Sequence, residues 1–279
     1  MLVRVVKVRW VRLLVVALLL ATPLVADGEL AAGGVRPRSA GARPSALPSA
    51  GPRATGSPTA SPSAGVYADR LPRFDAAPPA VRTATVVDGG AVPWVARVPT
   101  DQRVAFLTID DGWVKHPEAA ELLREAHVPV TLFLTIDAIS DNPEYFRTLQ
   151  GLGAVIEAHT ITHNKLSGLS YDAQRREICG SADRLGELYG RRPTLFRPPF
   201  GEKDATTLRA VRDCGMKAAF FWKESVNQGN VWYQDVKVVQ PGDVILMHFR
   251  DQFVQDFIGA LRGIKAAGLT PARLEDYYS

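Results

Sequence analysis

The chain has 279 residues, 46% of them hydrophobic, and 33 Lys+Arg stand against 29 Asp+Glu; that length suits one sizeable domain with extensions, and that apolar fraction excludes a chain disordered throughout. The basic excess is confined to the start: eight basic and two acidic residues precede residue 67, which leaves 25 basic against 27 acidic beyond it. With no basic stripe in the remainder, nucleic-acid binding has no electrostatic support.

Residues 1–26 have the three parts of an export signal. Arg4, Lys7, Arg9 and Arg12 form a basic start, Leu13–Ala21 is an unbroken apolar core, and Thr22–Ala26 ends in a small residue before Asp27. The core is short against the roughly 20 residues that span a bilayer. Cleavage and secretion, to the medium or the cell wall, is therefore the expected fate, with an uncleaved anchor as the alternative. Residues 27–66 are rich in Ala, Gly, Pro and Ser and contain no aromatic residue. Such a segment cannot bury enough apolar surface to offset its ordering entropy, and it reads as a flexible tether. Residues 67–279 remain as the folded domain.

Within that domain, Val81–Val87 and Ala91–Val98 are β-prone on either side of Gly89-Gly90, which predicts a hairpin. A strand–helix alternation follows. Strands are predicted at Arg103–Ile109, Val128–Ile136, Ala154–Ala158, Thr194–Arg197, Met216–Trp222, Asp243–His248 and Leu269–Arg273. Helices are predicted at Pro117–Ala126, Pro143–Gly151, Ser170–Tyr189, Lys203–Cys214 and Phe253–Ala267. Proline in a first turn, Ser170 as a cap, and Gly215 and Gly268 as terminators set their ends. Repeated β–α units predict an α/β fold with a parallel sheet, closed as a distorted (β/α)7-8, TIM-like barrel. In such barrels chemistry collects at the C-terminal ends of strands. Asp110, Asp111, His159, His163, Arg197 and His248 each follow a predicted strand. Cys179 and Cys214 fall in two of the helices; export would expose them to an oxidising setting where they can pair, the alternative being two small buried apolar residues.

The segment Thr108-Ile109-Asp110-Asp111-Gly112-Trp113 puts two carboxylates side by side where a strand ends. Strand side chains alternate faces, so the pair converges only if the chain bends, and Gly112 permits the bend. Two anions this close repel unless a cation shares the site. His159-Thr160-Ile161-Thr162-His163 places two imidazoles four residues apart, facing one way if the segment turns helically. Two His and a carboxylate form a catalytic zinc set that leaves a position for water. Thr160 stands where zinc proteases carry Glu, which disfavours that chemistry. Arg197 opens a loop stiffened by Pro198 and Pro199 and is a permanent cation able to grip a carboxylate. His248 ends an apolar strand and titrates near neutrality, as a general acid should. His116 and His127 read as surface or helix-end residues.

These motifs, in this order, resemble the polysaccharide deacetylase family (the NodB-homology domain, carbohydrate esterase family 4). Thr108–Gly112 is similar to its first motif, with Ile109 where Phe is usual, and His159–His163 to its His-Ser/Thr-x-x-His motif. Arg197–Gly201 resembles its Arg-x-Pro-Tyr motif, with Phe200 for Tyr, and Leu246–His248 its Leu-x-His motif. The resemblance implies an exported, metal-dependent hydrolase that removes N-acetyl groups from peptidoglycan, chitooligosaccharide or a similar polysaccharide, and it implies no stable protein partner. Asp110 would be the general base. Asp111, His159 and His163 would hold a divalent metal, usually zinc, with cobalt as a substitute. Arg197 would orient Asp110, the backbone N–H of Phe200 would help hold the oxyanion, Leu246 would line the acetyl pocket, and His248 would protonate the leaving amine. The family's Asp-x-x-Asp-Trp motif would follow Trp222, but the chain reads Lys223–Asn230 with no Asp-Trp. Glu224 is then the candidate carboxylate to tune Arg197 or His248, and Trp222 or Trp232 the candidate pocket wall. Two alternatives stay open: an O-acetyl esterase acting on xylan, and a wall-binding protein with weak catalysis on the same scaffold.

Overall fold

The computed structural model describes residues 65–83 and 91–278. The export signal, the tether up to residue 64 and the Gly89-Gly90 turn lie outside the described residues. In chain order the elements are β1 (Trp94–Val95), β2 (Val104–Asp111), α1 (Ala119–Ala126), β3 (Thr131–Leu134), α2 (Ile136–Ile139), α3 (Pro143–Gly151), β4 (Val155–Ala158), α4 (Tyr171–Tyr189), β5 (Leu195–Phe196), α5 (Ala205–Asp213), β6 (Ala218–Phe220), β7 (Glu224–Asn227), β8 (Asn230–Tyr233), β9 (Val244–His248), α6 (Phe253–Ala266) and β10 (Thr270–Pro271).

The strands lie side by side in the order β1-β6-β5-β4-β3-β2-β9-β7-β8, with β10 also on β2. Among the pairings of these strands only β7–β8 is antiparallel. The sheet curls until the chain after β1 returns to the start of β9. There Arg97 bridges Asp243, and the Val98 N–H donates to the Gly242 carbonyl at 2.7 Å. This is the distorted α/β barrel that the β–α alternation predicts.

Alternation along the strands explains why it closes. On β2, Val104 and Phe106 face inward and meet Phe133, Leu195, Phe220 and Val244 in an inner cluster. Ala105, Leu107 and Ile109 face outward and pack under the helices. A strand buried on both faces reads as a continuous apolar run. Toward the C-terminal strand ends the inward positions turn polar while staying buried: Thr108, Asp110, His159 and Arg197.

Helix ends follow local chemistry. The Ser170 hydroxyl accepts from the Ala173 N–H, as predicted, and Asp204 with Thr207 forms a capping box on α5. His127 is the left-handed C-cap of α1, while His116 is half-buried and stacked on Phe253 at 5.7 Å. Cys179 and Cys214 form a disulfide that ties α4 to the end of α5.

The predicted hairpin falls largely on residues 84–90, outside the described ones; on its described side β1 pairs in parallel with β6, and the N–H of Thr83, which belongs to no strand, goes to the Tyr277 carbonyl. The strand predicted over Val128–Ile136 stops at Leu134: the Thr135 N–H makes the last bond to β2, at the Asp111 carbonyl, and the Ile136 and Asp137 N–H groups go to the Thr160 and Ile161 carbonyls as the chain turns into α2. Lys223–Tyr233, unassigned from sequence, holds the β7–β8 hairpin, turned by Gln228 and Gly229 at φ 52 and φ 74, the paired positive φ values that match strand twist. Among the described residues no helix is long and apolar enough to cross a membrane.

Candidate active site

β2 delivers both carboxylates to one rim. Its register sets Asp110 opposite Phe133 on β3 and His248 on β9. The bend starts one residue earlier than the glycine suggests: Asp111 has φ 77 and Gly112 φ 110. Asp is among the few non-glycine residues that tolerate the left-handed region. Turning there breaks the strand alternation and brings Asp111 toward the side of Asp110. Gly112 is also needed for packing, since a Cβ there would lie 2.7 Å from Ile139 Cγ2.

The histidine segment corrects a second expectation, because it does not turn helically. Thr160 and His163 have φ 71 and φ 60, and the loop's N–H groups go to side chains rather than to carbonyls four residues back. The His163 N–H donates to Thr160 Oγ1 at 3.0 Å. The Ile161 and Thr162 N–H groups donate to Glu177, a residue that nothing in its sequence surroundings marks. Two left-handed residues, not helical periodicity, converge the imidazoles.

The result is a compact donor set. One ligand atom each from Asp111, His159 and His163 lies within 4.8 Å of the others. Asp111 Oδ1 sits 3.1 Å from His163 Nε2 and 3.5 Å from His159 Nε2, yet it is buried without a well-formed hydrogen bond. His159 Nδ1 is 2.6 Å from the Arg197 carbonyl. A carbonyl has no proton to give, so Nδ1 carries it and the Nε2 lone pair faces Asp111. Burial alone would raise the Asp111 pKa, but His159 and His163 beside it pull it far below the usual carboxylate range. Burial likewise opposes charge on His159, and Asp110 and Asp111 outweigh it to raise that pKa. Two imidazoles and a carboxylate with an orphaned buried oxygen fit a divalent cation of the zinc or cobalt type.

Asp110 stands beside this set, held from behind. Arg197 is fully buried, donates from Nη1 to Asp110 Oδ1 at 2.7 Å and to Thr108 Oγ1 at 2.8 Å, and lies 4.4 Å above the Phe133 ring. Desolvation lowers its pKa against the pull of Asp110. His248 is half-buried; burial lowers its pKa while Asp110 and Asp111 oppose the shift. Leu246 lies two residues back on the same face of β9, opposite Thr108. Phe200, left-handed at φ 61, is 60% exposed and packs edge-on to the His163 ring at 4.9 Å. Trp222 stacks on Phe221 at 4.1 Å, with the Arg197 guanidinium 5.9 Å from its ring.

The segment after Trp222 resolves otherwise than expected. Glu224 tunes neither Arg197 nor His248: it is buried against Asp243, near Arg97, where the sheet closes, one residue out of register for the inward face. The second amino group of Arg197 instead donates to the Phe221 carbonyl at 3.1 Å, and its Nε has no hydrogen-bond partner among the described residues. Trp232 is 61% exposed on the outer hairpin strand β8, which leaves Trp222 as the indole beside the site.

Comparison with known proteins gives the class. A family model described as polysaccharide deacetylase matches residues 97–219. An uncharacterised protein of Streptomyces coelicolor is 38% identical over 66% of this chain and 77% of its own length. A chitooligosaccharide deacetylase of Rhizobium leguminosarum bv. trifolii is 32% identical over 53% of this chain and 73% of its own. Among solved structures, a carbohydrate esterase family 4 pseudoenzyme from Bacillus anthracis superposes with a TM-score of 0.59 at 18% identity, covering 67% of this chain and 69% of its own. The chain belongs to the polysaccharide deacetylase family.

Proposed function

We propose that this protein is an exported deacetylase of N-acetylated cell-wall or chitin-like polysaccharide. The observation that carries the reading is the convergence of the Asp111, His159 and His163 donors beside an Arg197-held Asp110, with His248 on the adjacent strand. Asp111, His159 and His163 would hold the divalent metal, which when bound supplies Lewis acidity to the amide carbonyl and lowers the pKa of water. Arg197 occupies Asp110 Oδ1, which leaves Oδ2 to accept the proton of the attacking water. The Phe200 N–H supports the carbonyl oxygen as it becomes negative, worth about 3–4 kcal/mol for a well-placed donor. Leu246 and Trp222 wall the space for the acetyl group. As the C–N bond breaks, His248 gives its proton to the departing nitrogen. An ionised base and a protonated acid make the rate profile bell-shaped, and the lowered His248 pKa puts its alkaline limb below the ordinary imidazole value of about 6.5.

Relatives named peptidoglycan-N-acetylmuramic acid and peptidoglycan-N-acetylglucosamine deacetylase support amide chemistry, and one named xylan deacetylase keeps ester chemistry as the alternative. The test is acetate release by the full chain with added zinc from chitooligosaccharide, peptidoglycan and acetylated xylan. Release from an N-acetylated polymer is expected; release from xylan alone would point to an O-acetyl esterase. The missing Asp-Trp motif and the unpartnered Arg197 Nε favour a wall-binding protein as the second reading. A metal-loaded chain that releases acetate from none of the three would overturn the first reading and support the second.

A further inference from the structure

His159 and His163 sit on a loop whose backbone conformation has to be imposed from outside. Residues 159–163 form no helix or strand. Thr160 and His163 lie in the left-handed region, at φ 71 and φ 60, where non-glycine residues are uncommon and a β-branched residue such as Thr160 is an outlier. Such conformations persist only where the surroundings over-determine them.

Glu177 on α4 supplies the constraint. Its Oε2 accepts from the Ile161 N–H at 2.9 Å and the Thr162 N–H at 3.0 Å. Its Oε1 accepts from the Thr162 hydroxyl at 3.1 Å. All three donors lie between the two histidines, so one side chain fixes the arc that joins them. Gly180, three residues on, shares that helix face. It leaves room for Ile161, whose Cδ1 would lie 2.8 Å from a Cβ there. On roughly the opposite side of the helix, Cys179 ties α4 to Cys214.

We infer that Glu177 is a positioning residue for the metal: through the loop backbone it sets the spacing and aim of His159 and His163 while touching neither metal nor substrate. The inference rests on the metal site proposed above. Groups placed behind metal ligands in this way are worth about 10–100-fold in metal affinity.

The experiment uses the full chain and two readouts, zinc affinity by competition with a chromophoric chelator and the visible spectrum of the cobalt-loaded protein. Melting of the metal-free chain checks folding. Glu177→Leu keeps bulk but no acceptor; it should lose about 10–100-fold in zinc affinity and shift the cobalt spectrum. Glu177→Gln keeps a carbonyl oxygen for both N–H groups and should stay close to the parent in both readouts. If the Leu chain fails to fold, Thr162→Val, which deletes one of the three donors, should still weaken zinc binding. A folded Leu chain with parental affinity and spectrum would overturn the inference, as would a Gln chain as impaired as the Leu chain or, where the Leu chain does not fold, a Val chain with unchanged affinity. A parent chain that binds no zinc would instead overturn the metal-site reading and this inference with it.

Discussion

At the rim, Arg197 holds Asp110 at 2.7 Å; at the seam where the sheet closes, Arg97 holds Asp243 at 2.5 Å. The two places use the same pair of groups and finish it differently. At the seam, the second Asp243 oxygen accepts the Gln240 N–H at 2.6 Å. Glu224 beside it is pushed up to about 9 by burial and by Asp243, so it stays protonated at neutral pH. Charge is neutralised within the chain. At the rim, Asp111 and two imidazoles present converging lone-pair atoms with no well-formed hydrogen bond on Asp111 Oδ1. Glu224 Oε2 at the seam also lacks a hydrogen bond; what sets the rim apart is the convergence of one carboxylate and two imidazole ligand atoms, the donor set of a divalent cation. The contrast separates a structural ion pair from a site.

That contrast breaks most visibly if the rim histidines are removed. His159→Ala with His163→Ala should eliminate stoichiometric metal and reduce acetate release to background; metal retained in the double variant would show that these donors are not the site. Next in size, His248→Asn should slow turnover by about 10²–10⁴-fold, the usual worth of a general acid, while metal content stays intact. Unchanged turnover would remove that role. Away from the rim the currency becomes stability. Replacing Cys179 and Cys214 by Ser opens a link across a 35-residue separation and should cost about 3–4 kcal/mol by the loop-entropy relation, read from denaturant unfolding. The smallest effect belongs to the seam. The Glu224 pKa rises from the ordinary 4.5 to about 9 on folding, so between those values the folded chain keeps a proton that the unfolded chain has released. Its contribution to stability is therefore present below about pH 4.5 and fades as pH rises toward 9. Glu224→Gln does not titrate: its melting temperature should match the parent near pH 4.5 and exceed it by a margin that grows as pH rises toward 9. An equal gap at both pH values would remove the proposed titration.

Much of this was readable from residues alone, for a physical reason. Asp110, Arg197 and His248 are polar residues at the ends of apolar strands, where burial is otherwise the rule, and that mismatch is visible in a string of letters. The β–α alternation likewise carries the barrel, because buried parallel strands read as apolar runs. Other features leave no such mark. The positive φ values of Asp111, Thr160 and His163 belong to non-glycine residues held by distant partners. Glu177 is one acid among several charged residues on α4, and only the fold shows that it faces the histidine loop. Glu224 was read toward Arg197 because it follows Trp222, but a strand of the outer hairpin starts there and turns it to the seam. The partner of β1 is distant in sequence, and local β-propensity carries no sign of that pairing.

On the proposed function, the converged donors at the rim bind a metal on which deacetylation depends. The most direct test strips the full chain with a chelator, adds zinc back in steps, and follows acetate release from an N-acetylated chitooligosaccharide alongside bound metal. The expected result is no release from the stripped chain and a rise that saturates at one zinc per chain. Release that survives in the metal-free chain, or a fully loaded chain that releases nothing, would contradict it.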